Sequence, residues 1–346
     1  MGKLFGAEYP IIQAPMAGVQ GSALAIAVCS AGGIGSLPCA LLPPAAMRDE
    51  LGRIAAHARG PWNVNFFCHT PPQPDASREA SWRAALAPYY RELGIDPASI
   101  PAAASRTPFS VEAAGILAEF EPPIVSFHFG LPGADMLARV KRWGARVLSS
   151  ATTVDEARWL EAHGADAIIA QGAEAGGHRG MFLSDELTTQ AGTFALLPQV
   201  TGAVKAPVIA AGGIADAAGV AAAMALGAAG VQVGTAYLLC PEATTSAVHR
   251  AALKSEAARH TAITNVFTGR PARGIVNRLI RELGPMTAAA PAFPLAAAAV
   301  APLRAKAESL GRSDFSQLWS GQNASGCKEI PAAELTRELA AGFRSG

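Results

Sequence analysis

Charged residues are scarce in this sequence: Asp, Glu, Lys and Arg account for 16% of its 346 residues, and the formal net charge is +1. Residues of both signs are interspersed, without a basic stripe or an acidic tail, which argues against nucleic acid as a partner. The chain also lacks a long hydrophobic run, because residues 215–229 are alanine-rich and broken by glycine and aspartate. Such a segment is too weakly hydrophobic to span a membrane.

Cysteine is also rare, and its five positions fit neither a disulfide framework nor a metal site. The count is odd, no CxxC pair occurs, and neither an HExxH motif nor a carboxylate cluster lies at the end of a predicted strand. We therefore expect no bound metal. Reduced thiols, and a start that lacks an apolar stretch behind a basic head, predict a cytoplasmic protein without a signal peptide.

Apolar residues make up half of the chain, which is enough for one large α/β domain. Short apolar runs alternate with helical patterns, and continuous apolarity is typical of parallel strands buried on both faces. Eight such strands with helices between them predict a TIM (β/α)8 barrel. A doubly wound sheet is the alternative, but no GxGxxG motif follows the first strand. The predicted strands are 11–14, 33–36, 62–67, 124–127, 146–151, 167–171, 207–210 and 230–233.

Two segments extend the predicted barrel. Residues 68–110 form an insertion after the third strand, proline-rich at both ends, with one helix at 76–93. Residues 241–346 contain several helical patterns, including an alanine-rich one at 288–301, and are expected to pack on the barrel. We therefore predict a barrel over residues 1–240 that contains the insertion, followed by a helical C-terminal region.

Small residues follow the last two predicted strands. Gly212 and Gly213 come after strand seven, and Gly234 and Thr235 come after strand eight. Turns without a Cβ expose backbone N–H groups, and the threonine adds a hydroxyl. The loops after strands seven and eight of a TIM barrel often hold a phosphate, so we interpret these turns as a phosphate site. The alternative is that the glycines only make tight turns.

Amide side chains lie at two other strand ends. Asn65 and Gln171 offer both donors and acceptors for a heterocycle, and Met16 and Gly18 are placed to lie under a flat ring. Together with one phosphate site, these residues predict flavin mononucleotide (FMN) as the cofactor. The alternative is that the two amides only tie down neighbouring loops.

One histidine lies on the glycine-rich stretch AQGAEAGGHRGMF. His178 is not on a periodic apolar face, which predicts a role as acid, base or anion partner at the barrel mouth. His128, between two phenylalanines at the end of strand four, is interpreted as a supporting core residue, and His69 as a residue that lines the mouth. The remaining histidines, expected at the surface, are His57, His163, His249 and His260.

A set of motifs, taken in order, resembles the nitronate monooxygenases, once called 2-nitropropane dioxygenases: QAPMAG, NVNFF, VSFHFG, QGAEAGGHRG, APVIAAGGIAD and GVQVGTAYLLCPEA. TNVFTGRPARGIVNR and LWSGQ resemble the bacterial class I branch, and the resemblance covers nearly the whole chain. It implies a TIM barrel with noncovalent FMN, no metal, and a catalytic histidine at His178. The flavin contacts that it implies are Met16, Asn65, Gln171, Gly176, Gly213, Gln232, Val233, Gly234 and Thr235.

The implied reaction is the oxidation of an alkyl nitronate by O₂ to a carbonyl compound and nitrite, in a monomer or homodimer that detoxifies nitro compounds. His178 would hold the anionic nitro group, or act as base toward a neutral nitroalkane. Residues 288–308 lack tyrosine and their first charge is Arg304, which predicts an apolar pocket and disfavours a carboxylate-bearing nitronate such as propionate 3-nitronate. The alternatives are an FMN-dependent reductase of the enoyl-acyl-carrier-protein or quinone type that uses NAD(P)H, and a flavin-binding protein without turnover.

Overall fold

A barrel of eight parallel strands forms the centre of the computed structural model, which describes residues 4–100 and 106–344. The described residues form eleven strands, of which β7, β10 and β11 make a separate small sheet. Numbered along the chain, the eleven are β1 (Ile11–Gln13), β2 (Gly35–Pro38), β3 (Trp62–Phe67), β4 (Ile124–His128), β5 (Arg146–Ala151), β6 (Ala167–Gln171), β7 (Gly177–His178), β8 (Val208–Ala211), β9 (Gly230–Val233), β10 (Thr261–Thr264) and β11 (Ala272–Ile275). The barrel strands pair in the order β1-β9-β8-β6-β5-β4-β3-β2. A parallel bridge between Ile12 and Ile34 joins the two ends of this order. The predicted TIM barrel is confirmed.

The barrel strands are buried on both faces, which explains their continuous apolar sequences. Successive residues of a strand point to opposite faces, so Ile12 packs inside the barrel while Ile11 packs outward toward the helices. Ile168 and Ile169 repeat this division on β6. The interior cluster consists of Ala7, Ile12, Ile34, Ile124, Leu148, Ala167, Ile169, Ile209 and Ala211.

Twelve α-helices lie in the described part of the chain, most of them on the outside of the barrel. They are α1 (Ser22–Ser30), α2 (Pro44–His57), α3 (Ala76–Leu93), α4 (Val111–Phe120), α5 (Ala134–Lys141), α6 (Val154–Ala162), α7 (Thr193–Thr201), α8 (Ala217–Ala225), α9 (Ala247–Leu253), α10 (Arg278–Leu283), α11 (Ala296–Ser309) and α12 (Ala332–Ala340). Thr153 is the N-cap of α6, where its hydroxyl accepts from the Glu156 backbone N–H at 3.2 Å, and the Glu156 side chain accepts from the Thr152 N–H at 2.7 Å. The sequence patterns did not indicate α7, because Pro198 interrupts its interior.

The second barrel strand lies two residues later than predicted. The predicted range was 33–36, but the strand spans Gly35–Pro38, and Ile34 forms only the bridge that closes the barrel. Gly35 is required here by close packing, since a Cβ on it would lie 2.0 Å from the carbonyl oxygen of Ala25 in α1. The approach of α1 to this strand therefore depends on a glycine.

The insertion and the C-terminal region pack together, although they are far apart in sequence. Trp82 of α3 donates its indole N–H to the Ala296 carbonyl oxygen at 3.2 Å, and the Tyr90 hydroxyl lies 2.6 Å from the Ala299 carbonyl oxygen. The rings and aliphatic side chains of α3 share one apolar cluster with residues 266–315. We call α3 together with residues 261–319 the cap, because this assembly covers the barrel mouth.

The C-terminal region differs from the predicted set of helices in two ways. It contributes the strands β10 and β11, which pair antiparallel. The alanine-rich helix is also later than predicted, at Ala296–Ser309 rather than 288–301, because Pro291 and Pro294 interrupt the backbone before it. Among the described residues, none of the helices has the length and hydrophobicity that crossing a membrane requires.

Candidate functional site

A cavity of about 500 Å³ lies at the carboxyl ends of the barrel strands, beneath the cap. This is the size of a cofactor site, and it is the end of a TIM barrel that carries the chemistry. Val233 is the one predicted contact that does not line the cavity, because its side chain is buried in the core. The predicted residues that do line it are Met16, Asn65, Gln171, Gly176, His178, Gly213, Gln232, Gly234 and Thr235.

Backbone from four segments forms one end of the cavity, which we call the glycine cradle (Gly176, Gly212, Gly213, Gly234, Thr235 and Gly321). Gly212 and Gly213 have φ of 118° and 75°, a region that glycine enters without strain. The Thr235 hydroxyl accepts from the Gly321 backbone N–H at 2.9 Å. A Cβ on Gly176 would lie 2.6 Å from that same nitrogen, so the loops touch through backbone alone.

Polar side chains under the centre of the cavity differ in how much of their hydrogen-bonding capacity is free. Both polar atoms of the Gln171 side-chain amide already bond to the protein. Its Nε2 donates to the His178 carbonyl oxygen, and its Oε1 accepts from the Gly180 N–H. Asn65 donates to the Ser126 hydroxyl at 2.9 Å. Gln232 is different: its Oε1 is buried and has no partner among the described residues. This oxygen is available to a donor on a bound heterocycle.

The loop that carries His178 is held firmly, although its glycines predict flexibility. Gly177 and His178 form β7, which pairs antiparallel with Arg273 and Ala272 of β11 in the cap. The His178 carbonyl oxygen accepts from His128 Nε2 at 3.1 Å and from Gln171 Nε2 at 3.0 Å. His128 thus has the supporting role predicted for it. The glycines serve close packing, and backbone pairing fixes the histidine over the cavity.

Arg179 is a structural residue of this loop that the sequence patterns did not reveal. Its side chain is completely buried, and its guanidinium donates to the carbonyl oxygens of Gly172 and Gln171 at 2.7 Å each. The Gln190 side chain accepts a third hydrogen bond at 2.9 Å. Burial lowers the pKa of this arginine to about 10, so it is charged at neutral pH. A buried charge with three hydrogen bonds stabilises the loop beneath the histidine.

Aromatic side chains surround the His178 imidazole on the cap side, and we call Phe67, Phe129, Phe293 and Trp319 the aromatic wall. The centroids of the Phe293 and Trp319 rings lie 5.3 Å and 5.6 Å from the imidazole centroid. Burial lowers the pKa of His178 well below 6.5, and the positive charges of Arg106 and Arg270 act in the same direction. His178 is therefore uncharged at neutral pH.

Two further histidines differ from their predicted places, since His69 is not among the residues that line the cavity, whereas His249 is. His69 is buried, and its Nε2 lies 3.0 Å from the Arg106 carbonyl oxygen. His249 was expected at the surface, but it is 3% exposed and lines the cavity from below the cap. Burial lowers its pKa to about 4, and its Nε2 has no partner among the described residues. The sequence pattern failed here because α9 packs on the barrel with this side turned inward.

Positive charge at the cavity corrects the prediction of an apolar pocket. Arg106 from the insertion and Arg304 from α11 both line the cavity, and the Arg106 guanidinium lies 5.4 Å from the centroid of Phe293. Arg270 lies over the Phe129 ring at 4.0 Å. Burial lowers the pKa values of Arg106 and Arg270. Arg304 is the first charge of the C-terminal segment, whereas Arg106 and Arg270 come from other parts of the chain, which the composition of that segment could not indicate.

Possible metal ligands and the cysteine thiols are two further groups of side chains that could carry chemistry. No group of three or more His, Cys, Asp and Glu side chains that could hold a metal ion occurs within residues 4–100 and 106–344. All five cysteines are free thiols, and burial raises the pKa of Cys29 to about 11 and that of Cys240 to about 12. At neutral pH these two groups are protonated and unreactive.

Comparison with known proteins identifies the family. The model of the family described as nitronate monooxygenase matches residues 1–342. The chain is 45% identical to a nitronate monooxygenase of Paraburkholderia phytofirmans over 342 residues, which cover 97% of this chain and 92% of the relative. It is 43% identical to one of Pseudomonas aeruginosa over 347 residues, covering 97% of each. The solved structure of nitroalkane oxidase from Streptomyces ansochromogenes matches with a TM-score of 0.89 at 38% identity, covering 98% of this chain and 96% of that one. The chain belongs to the nitronate monooxygenase family, and it is an enzyme of the flavin-dependent oxidoreductase type.

Proposed function

We propose that this chain oxidises alkyl nitronates with O₂ to a carbonyl compound and nitrite, and that its flavin is FMN. The observation that carries the proposal is the His178 imidazole, fixed by backbone pairing over a cavity whose other end is a glycine cradle. Family membership supplies the reaction class. The residues of the cavity supply the arguments for the cofactor, for the charge of the substrate and for the role of the histidine.

The cavity fits a mononucleotide flavin in three respects. The glycine cradle offers backbone N–H groups, with the Thr235 hydroxyl, to a single phosphate. The buried and unpartnered Gln232 Oε1 would accept from an N–H group of the ring, and Met16 would lie against its face. A volume of about 500 Å³ suits one mononucleotide with a small substrate. When bound, FMN would take electrons from the nitronate and pass them to O₂.

The charges beside His178 favour an anionic substrate. Arg106 lines the cavity, and the charges of Arg106 and Arg270 both act on the His178 imidazole, so positive charge lies beside it, while Glu308 lines the same cavity. The lowered pKa makes His178 a weak base, so it is poorly suited to remove a proton from a neutral nitroalkane. We therefore assign His178 to binding of the anionic nitro group. The aromatic wall keeps water from the reacting atoms and strengthens these electrostatic interactions.

A reductase that uses NAD(P)H is the second candidate, and the same arginines are the observation in its favour. Arg106 and Arg304 at the mouth would suit a phosphate of a nicotinamide nucleotide as well as a nitronate. A flavin-binding protein without turnover is a weaker candidate, because the fixed imidazole and the positive charge beside it have no purpose in storage.

The test uses the purified holoenzyme. The released flavin is identified by chromatography and mass, and the enzyme is then mixed anaerobically with ethyl nitronate and, separately, with NADH. Bleaching by nitronate but not by NADH, followed by nitrite release on adding O₂, is the expected result. Fast bleaching by NADH without a nitronate response would establish the reductase instead. A released flavin other than FMN would overturn the cofactor assignment.

Two organisational proposals accompany the function. We propose that residues 1–240 form the FMN-binding barrel and that residues 241–346 pack on it as a C-terminal region. The free thiols are the observation that supports a cytoplasmic location. Limited proteolysis tests the division, since a first cut near residue 241 supports it and a first cut within the barrel contradicts it.

A further inference from the structure

Thr268 is a buried cap residue that touches His178 but does not line the cavity. Its hydroxyl oxygen lies 2.9 Å from His178 Nε2, and its side chain is completely buried. It belongs to the segment between β10 and β11, where the Gly269 N–H donates to the Asn265 carbonyl oxygen at 2.8 Å. Asn265 is itself fixed to Thr287 by two hydrogen bonds. The hydroxyl is therefore presented from a well-ordered turn.

The position of the hydroxyl proton determines which nitrogen of His178 carries a proton. A hydroxyl has one proton and can donate to one acceptor at a time. The alternative acceptor near Thr268 is the Arg270 carbonyl oxygen, at 3.5 Å. That distance lies outside the usual range of about 2.5–3.0 Å for an O–H···O hydrogen bond, whereas 2.9 Å to Nε2 is a good contact. The two distances therefore favour donation of the hydroxyl to Nε2, which would leave the ring proton on Nδ1.

We propose that Thr268 is a positioning residue that holds His178 in the Nδ1–H tautomer, so that Nδ1–H donates to an oxygen of an anionic nitro group. Among the described residues Nδ1 has no hydrogen-bond partner, and His178 lines the cavity, so this N–H is free to bind a ligand. The identity of the bound anion as a nitronate rests on the proposed function, whereas the tautomer rests on the contact with Thr268. It makes His178 a fixed hydrogen-bond donor, and the pre-formed nitronate becomes the preferred substrate over the neutral nitroalkane.

The surroundings agree with a donor. An Nδ1 lone pair facing the cavity would suit a cationic or proton-bearing ligand, but the charged groups around this imidazole are Arg106 and Arg270, with His69 and His128 as further neighbours. A donor placed in advance where negative charge lies is an efficient way to stabilise it in a water-poor site. A third group that holds an imidazole in one tautomer is a known element of catalytic sites.

The tautomer is measured directly in the FMN-loaded protein labelled with ¹⁵N-histidine. A long-range ¹H–¹⁵N spectrum distinguishes a protonated ring nitrogen from an unprotonated one, and His178→Ala identifies the signal by its loss. We expect Nδ1 to be protonated and Nε2 to be the acceptor, and Thr268→Val to abolish this preference. A wild-type signal with Nε2 protonated would overturn the proposal.

Kinetics then connect the tautomer to turnover. Thr268→Val keeps the shape but removes the hydroxyl, and Thr268→Ser restores it, so the pair controls for packing. We expect Val to lower kcat/KM for ethyl nitronate about tenfold, with flavin content retained, and Ser to recover most of it. Equal losses in Val and Ser would show a packing role and overturn the proposal. If wild-type enzyme shows the Nδ1–H signal but oxidises no nitronate, the proposed function fails while the tautomer assignment stands.

Discussion

The two ends of the cavity are built in different ways. The glycine cradle is backbone, and its residues lie within a few positions of a barrel strand or, in the case of Gly321, just beyond the cap. The aromatic wall is made of side chains from the ends of β3 and β4, the segment before α11, and residue 319. The barrel therefore supplies most of what would hold a cofactor, whereas the substrate end combines barrel side chains with side chains from the insertion and the C-terminal region.

This division suggests how one fold keeps its cofactor while its substrate changes. The cradle tolerates few substitutions at Gly176, Gly212 and Gly321, because a Cβ at each would lie less than 3.0 Å from an atom of a neighbouring segment. A wall of side chains can be altered one residue at a time without changing the backbone beneath it. Substitutions at the two ends should therefore separate flavin binding from turnover, and the following predictions test that separation.

The largest effect is expected at the substrate end. His178→Ala should lower kcat/KM for ethyl nitronate by about 100-fold or more, because the hydrogen-bond donor to the nitro group is lost. FMN should remain bound, since the cradle is unchanged. Flavin absorbance per protein and nitrite release measure the two quantities. Loss of flavin together with activity would show that the two ends are not separable.

A substitution in the glycine cradle should instead weaken flavin binding. Gly176→Ala should weaken FMN binding about tenfold or more, because its Cβ would lie 2.6 Å from the Gly321 backbone nitrogen. Gly133→Ala is the matched control, since a Cβ there meets no atom within 4 Å. Titration of the apoprotein with FMN gives both Kd values. Equal affinities in the two variants would contradict the proposed close contact.

Arg106 tests whether the cap selects the charge of the substrate. Arg106→Ala should raise KM for propionate 3-nitronate by several-fold more than KM for ethyl nitronate, because the guanidinium lines the cavity and pairs best with a second anionic group. Arg158→Ala, on an exposed face of α6, is the control. Steady-state kinetics with both nitronates decide the matter. If both KM values rise equally, Arg106 does not bind the carboxylate of the substrate.

The smallest effect on turnover is expected at His249, whose influence is on stability. Its pKa falls from 6.5 to about 4 on folding, so the unfolded chain binds more protons between these values and stability is lost as pH falls from 6.5 toward 4. Between pH 7 and pH 5 this one group should lower the free energy of unfolding by about 2 kcal/mol.

Urea unfolding of the His249→Gln variant at the two pH values checks this expectation. The drop in unfolding free energy between pH 7 and pH 5 should be smaller in this variant than in wild type. His163→Gln, at an exposed histidine, is the control substitution. An unchanged drop in the His249 variant would mean that this histidine titrates normally.

The sequence predicted the barrel well, because parallel strands buried on both faces need continuous apolar runs, and the runs are present. Once the barrel is predicted, its strand ends must converge at one end. That convergence allowed the sequence to place Asn65, Gly213 and Thr235 at the cavity. The glycine-rich loop also indicated His178. The strand at Gly35–Pro38 was misplaced, because its position depends on the approach of α1, which leaves only a glycine as its signal.

The substrate end was largely beyond sequence reasoning. Contact between Thr268 and His178 spans 90 positions and depends on the pairing of β7 with β11, two short strands with no periodic pattern of their own. Arg106 lies in an insertion whose direction the sequence does not specify, so the cavity was expected to be apolar. His249 looked like a surface residue, because a helix of seven residues has too few positions to reveal its buried side.

Pairing of β7 with β11 has a consequence for grafting between relatives. Only Ala272 and Arg273 form the register with the two residues of β7, so this short ladder is the sheet contact through which the cap meets the histidine strand. A cap exchanged from another chain must reproduce this two-residue register to return the imidazole to its place, whatever its other residues are. Chimeras that keep the β7–β11 register can be compared with chimeras in which it is shifted by one residue. Their substrate preferences would show which part of the cap determines specificity.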